Sequence, residues 1–439
     1  AFGLHSLRLA SRRDRPGRAG MESTMALNLV WLGLFAAGLL TALARLAAGD
    51  LGVFPALVDA LFASVRSGFE IAFGLVGVMA FWLGILRVGE RAGAINALAR
   101  GVYPFTRHLF PGVPAGHSAH GKITMNLSAN LLGLDNAATP LGLAAMRELQ
   151  TLNKDPDTAS NAQLMFMILN TAGITLLPAS VIAIRQTLAL QQGVTGFVAA
   201  DIVLPTLLCT TTACLAGLIT VALLQRISLW RAGLLGGFAV LGGLIGALLW
   251  ALHSVPAAQL GAWAALAGSL CLFALIAAFL GAAAWQKLPA FEIFVDGAKE
   301  GFEVAVKIVP YLVAMLAAIG VFRTAGCMDV VIGALQHVFA ALGVDTRFVP
   351  ALPIGLMKAF SGSGARGLMI DVMNHYGVAS FEGKVAAIIQ GSTETTFYVL
   401  AVYFGSVGVR HTRYAALCGL FAETVGVAAS IVAGYWFFG

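Results

Sequence analysis

Ile388-Ile389-Gln390-Gly391-Ser392-Thr393-Glu394-Thr395-Thr396-Phe397-Tyr398-Val399 sets a carboxylate and a run of amides and hydroxyls into an apolar segment that reaches from 385 to 407. An ionisable side chain at bilayer depth costs at least ~2.5 kcal/mol on insertion scales, so it faces a partner or a water-filled cavity and marks a functional site by default. Residues 390–396 are therefore the first place to look for a bound solute or ion.

The composition around that stretch belongs to a membrane protein. Hydrophobic residues make up 59% of the chain and charged residues only 11%, with a mean hydropathy of +0.86, against about 25% charge in globular chains. Apolar stretches approaching the ~20 residues that cross a bilayer recur along the whole length, at 27–48, 69–86, 163–184, 202–224, 230–252, 260–285, 308–321, 385–407 and 414–437. No soluble domain fits between them. The net charge of +6 lies in short loops beside these spans, where basic residues orient a membrane protein, so it speaks for topology and against a nucleic-acid partner. Cys209, Cys214, Cys271, Cys327 and Cys418 form no CxxC pair and read as packing residues. Residues 1–25 carry Arg8, Arg12, Arg13, Arg15 and Arg18 among Ser, Gly and Pro. They are expected to be a disordered cytoplasmic tail, or an artificial or upstream extension, because 27–48 is too long for the apolar core of a signal peptide.

An internal repeat organises the rest. Ser67-Gly68-Phe69-Glu70-Ile71-Ala72 aligns with Glu300-Gly301-Phe302-Glu303-Val304-Ala305 at an offset of 233 residues, and the same offset carries Ala92-Gly93 onto Ala325-Gly326. Each half then runs from a Gly-Phe-Glu segment to a polar hairpin (114–149; 348–375), a broken span (163–184; 385–407) and a last span. The division is a first repeat at 26–226, a linking transmembrane helix at 227–257 and a second repeat at 258–439. Arg87, Arg91, Arg100, Arg107, Arg147, Lys154, Arg226, Arg231, Lys287, Lys299, Lys307, Arg410 and Arg413 share one cytoplasmic side if both hairpins re-enter and the N-terminus is inside. The unmatched linking helix then inverts the second half. The expected fold is an all-α polytopic membrane protein with an inverted structural repeat, two re-entrant helical hairpins and two broken transmembrane helices, the architecture of many secondary transporters.

Four breaks carry the polar residues. In the first hairpin Gly133 permits a turn, and Asp135, Asn136 or Thr139 can cap a helix restarting near Pro140, a residue suited to a first helical position. In the second, Ser361, Ser363 and two glycines form the tip with Arg366 beside it. Arg366 suits an anionic or carbonyl group, with an equal claim for simple pairing with Asp135, Glu394, Glu423 or Asp371. The broken spans add Asn170, Thr171 and Thr175 ahead of Pro178, which as a helix residue frees a carbonyl, and Gln390, Ser392, Thr393, Glu394 and Thr395. The candidate solute contacts are Asn130, Asp135, Asn136, Thr139, Asn170, Thr171, Ser361, Ser363, Arg366, Gln390, Ser392, Thr393 and Glu394. Glu394, Glu423, Thr175 and Thr395 are candidates for coupling to Na⁺ or H⁺. Any one of the hydroxyls could instead bond across helices without touching a ligand.

Residues 126–150, with Asn-Leu-Ser-Ala-Asn-Leu-Leu-Gly-Leu-Asp-Asn-Ala-Ala-Thr-Pro-Leu-Gly, resemble the spore maturation A family. Residues 300–439, with Ser361-Gly-Ser-Gly-Ala-Arg366 and Gln390-Gly-Ser-Thr-Glu-Thr-Thr396, resemble the spore maturation B family. Both lie in the nucleoside-recognition, or Gate, group, which is similar to the membrane cores of concentrative nucleoside and ferrous-iron transporters. The resemblance implies a fusion of the two in the inner membrane of a bacterium, with two re-entrant hairpins and two unwound helices meeting at a central site. It does not transfer a substrate.

The leading function is transport or export of a small polar solute, whether nucleoside-like, amino-acid-like or a small organic acid. A metal-ion permease ranks below it. His117 and His120, with His108 upstream, sit one helical turn apart but lack carboxylates or thiols at ligand spacing. An intramembrane enzyme is not expected, since Ser363 has no base in reach by pattern and the glycine-rich tip lacks a Gly-Lys-Ser/Thr ending. A non-transporting scaffold for envelope or spore maturation would not need polar breaks. The expected partners are the bilayer, the solute and a second copy in a homo-oligomer; no resident cofactor is expected.

Overall fold

The computed structural model describes residues 18–228 and 232–439, whose regular elements are all helices, with no strand among them. After α1 (Arg18–Ala47) comes a first set: α2 (Val53–Arg91), α3 (Ala94–Thr106), α4 (Ser118–Leu131), α5 (Asp135–Thr151), α6 (Asn161–Thr171), α7 (Ala179–Gln191) and α8 (Val203–Leu224). α9 (Ala232–His253) and α10 (Ala257–Trp285) lead into a second set that matches it helix for helix: α11 (Ala290–Thr324), α12 (Cys327–Ala341), α13 (Leu352–Lys358), α14 (Gly362–Tyr376), α15 (Phe381–Gly391), α16 (Thr396–Ser406) and α17 (Ala415–Phe438). Short 3₁₀ turns precede α8 and α13. Among the described residues eight helical stretches, the interrupted 381–406 included, are long and apolar enough to cross a membrane, so the chain is an all-α polytopic membrane protein.

The broken span expected at 163–184 consists of helices of 11 and 13 residues separated by the non-helical stretch 172–178, while three other expectations change. The segments expected at 69–86 and 308–321 are the cores of helices of 39 and 35 residues. At 1.5 Å per residue these are ~58 and ~52 Å long, against a hydrocarbon core of ~30 Å, so they must tilt or project. Because α11 continues unbroken through it, Lys307 lies ~26 Å from the start of that helix and not beside its cytoplasmic end as expected. Of the expected tail, residues 18–25 form the first part of α1, while residues 1–17 lie outside the described residues.

The Gly-Phe-Glu signature has a packing explanation. Gly68 lies against Val313, Gly84 against Phe294, Gly301 against Met79 and Ala80, and Gly320 against Ser64, so ascending residues of α2 meet descending residues of α11. The two equivalent helices are antiparallel, and the repeat is inverted. A Cβ on Gly301 would fall 2.6 Å from the Ala80 Cα, a separation only glycine allows. Phe69, Glu70, Phe302 and Glu303 point outward and are exposed, with Arg66, Lys299 and Lys307 beside them. The matched Ala-Gly pairs also serve one purpose: Gly93 and Gly326, at φ of 79° and 94°, turn the chain into α3 and α12, a left-handed conformation that glycine adopts freely.

The two hairpins open at opposite ends of the helical body. Ser118 at the start of α4 donates to Glu148 near the end of α5, and the same end gathers Arg410 with Asp157 and Arg413 with Asn161. At the other end Gln192 binds the Met373 carbonyl and the Val378 amide at 3.0 and 2.9 Å, while Arg347 lies over Phe381. Asp345 there is held below the usual carboxylate range, chiefly by the Arg347 backbone amide. Two apolar cores, one around Ile184, Met369 and Ile388 and one around Met146, Phe166 and Phe404, enclose the polar breaks between them.

Candidate functional site

Both broken spans unwind where glycine and hydroxyl residues replace apolar ones. α6 stops at Thr171 and helix resumes at Ala179, with Pro178 at its head and not inside it. The carbonyls here are thus released by seven non-helical residues, and not by a proline kink as expected. α15 stops at Gly391 and α16 resumes at Thr396. The two breaks are joined directly, the Glu394 amide donating to the Thr171 carbonyl at 2.8 Å. Each is also tied to the hairpin of its own half in the same way: Leu176 N donates to Leu131 O at 2.9 Å, and Phe397 N to Ala359 O at 3.1 Å. The inversion therefore extends to individual backbone hydrogen bonds.

Where the breaks meet the tips, a cavity of about 110 Å³ is lined by Gly133, Thr175, Lys358, Gly362, Arg366, Gln390, Thr393, Glu394 and Thr395. That volume holds roughly three to four waters at ~30 Å³ each. Gly133, Ala179, Ser180 and Arg366 also line a second cleft of about 740 Å³ that runs out along α2 and α11. In that cleft Arg87 bridges Glu90 at 2.8 Å and Glu300 at 3.1 Å, linking the two halves. Glu394 is solvent-accessible although it sits deep between the cores, because its carboxylate projects into the cavity; the charges acting on it are those of Lys358 and Arg366.

The structure divides the expected site residues into three groups. Thr175, Arg366, Gln390, Thr393, Glu394 and Thr395 line the cavity. The Gln390 Oε1 and Thr393 Oγ1 atoms are buried there without a hydrogen-bond partner, and such groups are rare in folded proteins.

A second group supports the walls. Asn170 Oδ1 accepts from Asn130 Nδ2 at 2.8 Å and from the Tyr403 hydroxyl at 3.1 Å, while its Nδ2 donates to Phe166 O at 2.8 Å. Thr171 bonds Met167 O and Ser392 bonds Ile389 O. Ser361 caps α14 by accepting from Gly364 N at 3.0 Å, and Ser363 bonds Ser361 at 3.1 Å. Glu423 accepts from Thr396 N at 3.0 Å and so caps α16 from outside the lining.

The third group lies apart or outside the description. Asp135 and Asn136 open α5, but their side chains lie outside the described residues. α5 starts at Asp135, which makes Pro140 its sixth residue and not its first, and leaves Thr139 a bonded residue of its second turn. His117 caps α4 through the Ala119 amide and His120 contacts Val113 O, so both rings serve local backbone. Asp371, one of the partners weighed for Arg366, is bridged instead by Arg323, whose Nε lies 3.0 and 3.2 Å from its two oxygens.

Sequence reasoning passed over Lys358 and Tyr403. Lys358 is 3% exposed and donates to the carbonyls of Ile389, at 3.1 Å, and Gln390. A lysine closing the apolar run 349–357 was a visible signal. Tyr403, which joins Asn170 and, at 3.5 Å, Asn126, had none, because its partners are more than 200 residues away in the chain.

Known proteins share this framework. Residues 72–188 and 305–410, together just over half of the chain, match the family described as nucleoside recognition, or Gate. Spore maturation protein B of Bacillus subtilis is 46% identical over 147 residues, covering 34% of this chain and 81% of that protein. Spore maturation protein A of the same organism is 37% identical over 183 residues, covering 42% of this chain and 87% of that protein.

Proposed function

The chain belongs to the nucleoside-recognition (Gate) family, with relatives of spore maturation proteins A and B joined in one polypeptide, and from that premise we propose that it transports a small polar solute across the bacterial cytoplasmic membrane. The observation that carries this reading is the cavity where two hairpin tips and two unwound helices converge, lined by Gln390, Thr393, Glu394 and Arg366. In a bilayer, irregular backbone is tolerated only inside protein or along a water-filled cavity. Four such segments meeting at one point serve recognition.

The dimensions set how a solute is held. The central 110 Å³ takes a single charged or amide-bearing end of the solute against Arg366, Glu394, Gln390 and Thr393. The remainder lies in the 740 Å³ cleft, a volume within the ~300–1,000 Å³ range of ligand pockets. Nucleoside-like, amino-acid-like and small-acid solutes meet that requirement. Re-entry of both hairpins from opposite faces gives each face one movable gate. The end carrying Arg147, Arg226, Arg410 and Arg413 is cytoplasmic by the excess of positive charge, which puts the N-terminus inside.

A metal-ion permease is disfavoured, because Lys358 and Arg366 already place two cations at the cavity. A pure scaffold has no use for the cavity, and no covalent chemistry is proposed. The exposed Arg66, Glu70, Lys299, Glu303 and Lys307 on α2 and α11 are costly against lipid, and a second copy meeting this face in a homo-oligomer covers them with opposite charges one helical turn away. The test of transport is counterflow in proteoliposomes of the purified chain, using labelled nucleosides, amino acids and small acids under imposed cation gradients. Saturable flux of one class supports the reading; no flux of any class removes it.

A further inference from the structure

We propose that Lys358 occupies, with its own ammonium group, the cation site formed by the second helix break, so that the protein works without sodium. The end of α15 presents the site. After Gly391 the helix stops, and the C-terminal carbonyls of a half-helix carry the negative end of its dipole; in transporters with broken helices such carbonyls coordinate the coupling cation. Here the carbonyls of Ile389 and Gln390 both accept from the Lys358 Nζ. Of the charges around that group, Glu394 and Glu423 act on it as anions and Arg366 as a cation. An ammonium carries three donors, and two of them are spent on these carbonyls.

The inverted repeat supplies an internal control. The matched backbone bonds pair Leu131 with Ala359 and Leu176 with Phe397, so counted from these bonds the hairpin residue in the place of Lys358 is Asn130, one residue before the helix-end counterpart Leu131. Asn130 donates to the side-chain oxygen of Asn170 at the end of α6, where Lys358 donates to the backbone carbonyls of Ile389 and Gln390 at the end of α15. The first half therefore builds its hairpin-to-break link with a neutral amide. A positive charge at this position is not demanded by the fold, and its presence only at the break beside Glu394 assigns it to the site. The stem of Lys358 extends from the end of α13, which tethers the cation to the second hairpin while its charge rests on the break.

This inference rests on the transport reading for its consequence, but its test reads cation binding directly. Thermal unfolding of the purified full chain is followed as sodium chloride replaces choline chloride at constant ionic strength. The wild type is expected to show no response. Lys358→Asn, which copies the first-half residue, and Lys358→Met, which keeps the stem, vacate the site and are expected to gain a saturable rise of about 3 °C at sodium concentrations near 100 times the dissociation constant. Adding Glu394→Gln to either variant should remove that rise. A sodium response in the wild type overturns the proposal, and so does a folded Lys358 variant that ignores sodium. Absence of flux in liposomes alongside a sodium-responsive Lys358→Asn would instead remove the transport reading and leave the cation site standing.

Discussion

Gly301→Ala is expected to destabilise the protein although alanine is the better helix former. The added Cβ would lie 2.6 Å from the Ala80 Cα and Met79 O and 2.7 Å from the Ala80 N. Those are main-chain atoms of α2, which cannot rotate away as a side chain would. Restoring an ordinary contact of 3.4 Å means parting the two long helices by about 0.8 Å there. A gap of that size forfeits a quarter to a half of the dispersion energy of the atoms beside it, and overpacking costs about 1–3 kcal/mol. Against this stands a helix-propensity gain of about 1 kcal/mol, for a net loss of up to ~2 kcal/mol. Gly77, on α2, has nothing within 4 Å of its hypothetical Cβ, so Gly77→Ala should be neutral or stabilising by up to ~1 kcal/mol. Equilibrium unfolding of both variants in the same detergent gives the comparison. Gly301→Ala as stable as Gly77→Ala would refute the close antiparallel crossing and with it the role of the repeated glycine.

Three further outcomes follow from the site and its surroundings. Glu394→Gln keeps the shape of the side chain and the Glu394 amide bond to Thr171, so it should reduce flux at least ~10-fold while leaving the unfolding transition in place; unchanged flux would take the carboxylate out of the mechanism. Asn170→Ala strips partners from Asn130 and from the buried Tyr403 hydroxyl, at about 1–3 kcal/mol for each donor left unsatisfied. A stability loss below ~1 kcal/mol by denaturant titration would mean that this network does not brace the first break. Reversing Arg66 and Lys299 to Glu places like charges beside Glu70 and Asp296, and light scattering in detergent should then show a smaller particle; an unchanged mass argues against a second copy on that face.

Much of this architecture was legible before any coordinates. Gln390 to Thr396, Asn170 to Thr175, Gly133 and Ser361 to Arg366 stand out because polar and helix-breaking residues in an apolar chain violate the solvation rule of the bilayer, which is a local rule readable from neighbours in sequence. The individual roles were not legible in the same way. Asn170, Ser361 and Glu423 looked like ligands and turned out to be bound to backbone or to other side chains, since a hydroxyl or amide satisfies a helix end as readily as a solute. Lys358 drew no reading from the sequence and lies at the cavity.

By itself the sequence determined the membrane class, the four breaks and the repeat, because hydropathy, glycine placement and a 233-residue offset are properties of the chain order. Only the tertiary structure decided which face of each break is turned inward. Glu394 meets Thr171, Tyr403 meets Asn170 and Gly301 meets Ala80 across more than 200 residues. Such contacts are set by how two antiparallel helices pack at glycine, a distance condition in space that no local pattern encodes.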